Sequence, residues 1–196
     1  MSKKSKPIKN VHVIYDPAEM WVLASPIRVE VLNAVCALEE CSTAEIAAFT
    51  GRSRTSLYPH IEQLVDAGLI LEADARLMSK RWEQLYRPIA RTVGTKHNSK
   101  DPDNVAYHQA YGKAVGRLMA RLHDRATAQP DAVVRGPQRD TFAGASCAWV
   151  DEETLKEINE HIQRIWEICQ NSRPSEDAKL VNVGVILAPD TRKKSD

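Results

Sequence analysis

Residues 42–68 read STAEIAAFTGRSRTSLYPHIEQLVDAG, and this stretch decides the fold. Ser42-x-x-Glu45 is a capping box: the serine hydroxyl and the glutamate carboxylate each take up an amide that a helix start leaves unpaired, opening a helix through Phe49. Thr50-Gly51-Arg52 ends it in a tight turn, Gly51 supplying the left-handed backbone. Ser53 caps the next helix, in which Leu57, Ile61, Leu64 and Val65 make an apolar stripe until Gly68 stops it. Its other face presents Arg54, Ser56, Tyr58, His60 and Gln63, with no carboxylate before Glu62. A helix with such a front suits a major groove, where N-terminal side chains meet base edges and the positive dipole end meets phosphate. Pro59 removes the amide bond to Thr55 and is expected to bend the helix, at about 3 kcal/mol in a generic interior.

The flanking segments extend this reading. Asp16-Pro17 and Ser25-Pro26 are helix starts, and Ile27, Val31, Ala34, Val35 and Leu38 recur at the spacing of one buried face. After Gly68 the period becomes extended. Leu69–Leu71 and Gln84–Ile89 form two arms, and the tip between them holds Lys80 and Arg81. Helix, helix-turn-helix, then a basic hairpin is the order of a winged helix-turn-helix domain.

LASPIRVEVLNAV (residues 23–35) resembles the opening helix of ArsR-like regulators, the arsenical-resistance type of repressor. IAAFTGRSRTSLYPHIEQLVDAGLI (residues 46–70) resembles their helix-turn-helix in its Gly51 turn, Ser53 cap, His60-Ile61-x-x-Leu64 and Ala67-Gly68-Leu69. SLYPHIEQL is also similar to the recognition helix of PadR-like, phenolic-acid-type repressors. The resemblance covers about residues 16–90. It implies a DNA-binding regulator, usually dimeric.

Charge agrees in its distribution rather than its total. Lys plus Arg number 27 against 26 Asp plus Glu, so the net charge of +1 selects no partner. The first hundred residues nevertheless carry a basic excess. It is concentrated at Arg52 and Arg54, and again at Arg76, Lys80, Arg81, Arg87 and Arg91 against Glu83 alone. Two basic blocks around a neutral helix are a footprint for a polyanion. Lys3, Lys4, Lys6 and Lys9 make a basic arm, read as a solubilising tail with a minor-groove contact as the alternative.

The expected organisation is a flexible arm at 1–15, the winged domain at 16–92, a polar linker at 93–102 and a helical dimerisation or effector region at 103–196. The fold class is mainly α, an α+β winged helix-turn-helix followed by a helical region with a small C-terminal β element. Tyr107, Tyr111, Val115, Leu118 and Leu122 form one apolar seam on a helix over 103–126, favoured as the dimer interface with packing inside the chain as the competing reading. Leu155, Ile158, Ile162, Ile165 and Cys169 form a second on a helix opened by Asp151. Residues 180–187 read as a strand paired with 141–150, closing a unit that either holds an unidentified small-molecule effector or only stabilises the dimer.

Other chemistries lack their residues. No apolar run is long enough for a bilayer, and the N-terminus lacks the apolar stretch of a secretory signal. Cys36, Cys41, Cys147 and Cys169 suggest reduced thiols in a cytoplasm. They offer no close Cys pair for a metal, while His108 and His123 lie about 22 Å apart along one helix. A nucleophile elbow, a phosphate loop and a dinucleotide fingerprint are all missing. The expectation is no enzyme, no metal and no cofactor.

The function expected is therefore a sequence-specific transcriptional regulator, a homodimeric repressor reading a palindromic operator in double-stranded DNA. Arg54, Thr55, Ser56, Tyr58 and His60 are the base readers, Arg54 the best placed for guanine. Arg52, Ser53, Lys80 and Arg81 hold phosphates. Packing on a neighbouring helix is an equal reading for Tyr58, and capping is the first role of Ser53. The alternative is a winged helix that docks on an acidic protein.

Overall fold

The computed structural model describes residues 8–78, 81–173 and 175–190. Two compact units divide the chain, one as far as Leu118 and one from Met119 onward. The boundary falls inside a helix, not at the polar stretch around residue 100.

In the first unit, β1 (Lys9–Ile14) leads into α1 (Pro17–Val22), which Asp16 caps by accepting the Ala18 amide at 2.8 Å. α2 (Pro26–Leu38) starts at Ser25-Pro26, although the Ser25 side chain makes no capping bond. Three strands, β2 (Cys41–Ser42), β3 (Ile70–Glu72) and β6 (Leu85–Pro88), form an antiparallel sheet with β6 in the middle. β4 (Arg76–Met78) and β5 (Arg81–Glu83) pair as a separate two-stranded antiparallel sheet between β3 and β6 in the chain, Leu77 opposite Trp82. Between β2 and β3 lie α3 (Thr43–Thr50) and α4 (Arg54–Asp66). Gly51 has φ 68°, a conformation that costs only glycine nothing, and it sets the turn between these helices. This arrangement is a winged helix-turn-helix.

Its core comes from the apolar stripes. Leu57, Ile61 and Leu64 of α4 are buried with Val31 and Val35 of α2 and Ile46 of α3. Pro59 sits on the exposed side, and α4 continues through it to Asp66. The capping box of α3 is complete: the Ser42 amide donates to Glu45 at 2.8 Å and the Glu45 amide to Ser42 Oγ at 3.4 Å. The Ser42 amide, and then the Arg76 guanidinium at 3.0 Å, hold the Glu45 carboxyl below the usual carboxylate range. Ser42→Ala should cost about 1 kcal/mol in urea unfolding. Because the folded-state value is depressed, the Glu45 contribution is present above its unfolded pKa and disappears as pH falls through the folded one. Glu45→Gln should therefore flatten the acid side of the stability profile.

Residues 9–14 do not form the flexible arm expected of them. β1 pairs in parallel with β7 (Ala90–Thr95), from Lys9 opposite Ala90 to Ile14 opposite Thr95. Alternating Val11, Val13 and Tyr15 favour an extended chain, and β7 provides the partner. β7 likewise occupies the start of the expected linker. Lys3, Lys4 and Lys6 lie outside the described residues.

α5 (Pro102–Thr127) begins in this unit. Asn104 is buried, accepting the Asn98 amide at 2.8 Å and donating to the Lys96 carbonyl at 3.0 Å. Tyr107 is fully buried, edge-on to Trp21 at 6.1 Å and stacked on Tyr111 at 5.8 Å.

The second unit holds the end of α5, irregular segments and α6 (Glu152–Asn171), which Asp151 caps through the Thr154 amide at 2.8 Å. The expected C-terminal β element does not form: neither 141–150 nor 180–187 is a strand. Asp140 and Thr141 instead send their amides to the Val133 carbonyl, and the Asp140 carboxylate takes the Val133 amide and the Lys179 ammonium. That segment folds on its own loop, leaving residues 180–187 without a ladder. Gly184 passes so close to Met119 that a Cβ there would lie 2.6 Å from Met119 Cγ.

Candidate nucleic-acid interface

The turn at Gly51 and the burial of Leu57, Ile61 and Leu64 leave the opposite side of α4 to solvent. Arg54, Thr55 and Ser56 are exposed, and Tyr58 is 54% exposed, so packing on a neighbouring helix is not its role within the chain. Ser53 caps the helix, its Oγ accepting the Ser56 amide at 3.3 Å and lying 3.2 Å from Thr55 Oγ1. The Ser56 hydroxyl donates to the Ser53 carbonyl at 2.8 Å, which leaves its oxygen able to act only as an acceptor. α4 thus presents its capped N-terminal end with one guanidinium, two hydroxyls and a phenol.

Two expected site residues turn inward. Arg52 Nε lies 2.8 Å from Glu30 Oε2, a carboxylate only 6% exposed, so the guanidinium ties the turn to α2. His60 is half-buried, and burial, then the charges of Arg28 and Arg52, push its imidazole below its ordinary value. It is neutral near pH 7, with an orphaned Nδ1 among the described atoms. Arg28, which sequence reasoning did not single out, donates to Gln63 Oε1 at 2.6 Å, to the Trp21 carbonyl at 3.4 Å and to the Val22 carbonyl, holding α4 to α2 and to the end of α1.

Two arginines of the second basic block, Arg76 on the wing and Arg91 on β7, are also ion-paired. Arg76 contacts Glu45 at 3.0 Å and Glu83 at 3.8 Å, and Arg91 contacts Glu39 at 2.9 Å. Arg81 remains exposed on β5, while Lys80 lies outside the described residues. Beside Arg81 the wing exposes Leu77, Met78 and Trp82, the last at 71%. The sequence signal for this apolar tip was the run RLMSKRW, in which only the cations drew notice.

The expected dimer seam on α5 divides differently. Tyr107 and Leu118 are buried by the chain itself, and Tyr111, Val115 and Leu122 are half-buried. Leu122 lines a cleft of about 350 Å³ in the second unit with Met119, Ala126, Phe142 and Leu180, the Asp140–Lys179 pair on its polar side. Burial pushes the Cys36 and Cys41 thiols up to about 12, leaving them protonated at neutral pH. Cys147 is exposed, its segment not being a strand. Among the described residues no three His, Cys, Asp or Glu side chains converge as metal ligands, and no helix is long and apolar enough to cross a membrane.

Fold and site together define a helix-turn-helix domain, a kind of domain that DNA-binding regulators use. A family model described as a helix-turn-helix domain matches residues 23–73, which run from the end of α1 through α4 to the start of the wing. No curated protein matches the chain.

Proposed function

We propose that the protein is a sequence-specific transcriptional regulator of the ArsR-like kind, with a PadR-like recognition helix, acting as a homodimeric repressor on a palindromic operator. The observation that carries this reading is the exposed N-terminal face of α4, free of carboxylate and set by a left-handed glycine turn. In this reading α4 enters the major groove. Arg54 donates to guanine O6 and N7, and Thr55, Ser56 and Tyr58 contact neighbouring base edges. Ser53 and Arg81 fix the register on phosphates, while Arg52 and His60 support the helix from behind. The cleft beside Leu122 is where an effector would bind, and the reaction chemistry of an enzyme has no counterpart in the site.

Titration of the full chain with generic duplex across a salt series tests the reading. Log affinity should fall linearly with log salt, by about 0.9 per phosphate neutralised. Arg81→Ala should weaken all duplexes alike and reduce that slope by about 1. A flat dependence would overturn the DNA assignment in favour of protein docking, the reading that the exposed Leu77, Met78 and Trp82 on the wing support.

A further inference from the structure

We infer that the wing carries an apolar wedge, the Leu77–Trp82 pair, which enters the minor groove beside the α4 site and opens one base step, kinking the duplex. The inference rests on the DNA reading above. It adds a pair of side chains that responds to how easily a sequence deforms, where α4 responds to base edges.

β4 and β5 are three residues each, and alternation along them sets Leu77 and Trp82 side by side on one face of the ribbon. Arg76, Met78, Arg81 and Glu83 occupy the other face. Leu77, Met78 and Trp82 are all exposed, so the ribbon carries large apolar side chains with no core to fill. Its base is nevertheless firmly held. The Ala73 amide donates to the Leu85 carbonyl at 2.8 Å, and Gln84 Nε2 donates to the Ala73 carbonyl at 2.6 Å and the Leu85 carbonyl at 3.0 Å. Arg76 ties the ribbon to Glu45 in the first turn of α3 at 3.0 Å. This clasp fixes the ribbon against the helix-turn-helix. A wedge needs that footing, because a side chain ordered only on binding gives up affinity that a preorganised one keeps.

Charge and size choose the occupant. Glu45 and Glu83 are both engaged by Arg76, and the exposed carboxylates nearest in the chain, Glu72 and Asp74, lie towards the base. Residues 77–82 include no acid, and Arg81 is exposed next to Trp82, so a polyanion meets a cation there. Three apolar side chains on two short strands fall well short of the ~800 Å² per partner of a standard protein interface. One or two such side chains are instead the size of a wedge between base pairs, a task for which Leu and Met are common choices. The indole of Trp82 adds a flat face on which a base can stack. With α4 in the major groove, the adjoining minor groove is what another element of the same domain reaches.

The test uses the full chain and a duplex recovered by selection from a randomised pool, labelled at its ends with an energy-transfer pair. A parallel set of duplexes carries 2-aminopurine, whose emission rises on unstacking, at successive positions. Wild type should bend the duplex by about 20–90° and brighten 2-aminopurine at a discrete step outside the α4 contacts. Trp82→Ala should remove most of the bend and the brightening and weaken binding about tenfold, with thermal unfolding and the salt slope unchanged. Trp82→Phe should keep both signals, and Arg81→Ala should lower the salt slope while the bend persists. A straight duplex in the wild-type complex, or a bend and brightening that survive Trp82→Ala, would overturn the wedge and leave the DNA reading standing, with the wing face assigned to a protein partner. A chain with no salt-dependent duplex affinity sinks the DNA reading itself, and the wedge with it.

Discussion

Arg52→Ala should lower the unfolding free energy by about 3 kcal/mol, although the residue stands at the edge of a DNA-reading helix. The reason is its partner. Glu30 is buried in α2, and the Arg52 guanidinium 2.8 Å away supplies a charge that its carboxylate meets in the folded chain. Removing one member of a buried pair costs about 3–5 kcal/mol, and the partial exposure of Arg52 places this case at the lower end. Urea unfolding measures it directly. Glu30→Leu combined with Arg52→Met should recover much of the loss, because neither charge is then buried. A purely phosphate-binding Arg52 would behave otherwise, with unfolding unchanged on substitution and affinity alone reduced.

Arg54→Ala is expected to do the reverse. Its side chain is exposed at the first position of α4, so stability should stay within about 0.5 kcal/mol of wild type. Affinity for the preferred duplex should drop by about 1–3 kcal/mol, and the preference at one base position should vanish. Selection from a randomised duplex pool, run on wild type and variant, reads out that single position. Equal weakening on every sequence would make Arg54 a phosphate contact instead.

The contrast between these neighbouring arginines marks where sequence reading stops. Both follow the same turn and look alike as text. The capping box, the Gly51 turn and the Ser53 cap were legible because each is closed by residues within four positions of one another, as was the stripe that buries Leu57, Ile61 and Leu64. Glu30 lies 22 positions from Arg52, and nothing local announces the pair. The same holds for His60, whose surroundings come from Arg28 and Arg52, and for Tyr107, whose seam was read as a dimer interface until Trp21 packed edge-on against it.

Strands failed in both directions for a related reason. Alternation encodes an extended chain and a face, but the ladder needs a second backbone. Residues 9–14 had been read as a mobile arm and found one in β7. Residues 180–187 had the better pattern and found none, because the loop around Asp140 closes on Val133 and Lys179. The wing was easier, since its arms are joined by a short hairpin.

The β1–β7 pairing bears on how this protein may be trimmed. Removing everything ahead of Asp16, a cut that looks harmless at a polar and lysine-rich beginning, would strip β7 of its neighbour along its whole length. Six residues of backbone would then offer unsatisfied amides and carbonyls to any other chain in solution. A shortened version is apt to precipitate or to stick to itself for reasons unrelated to gene regulation.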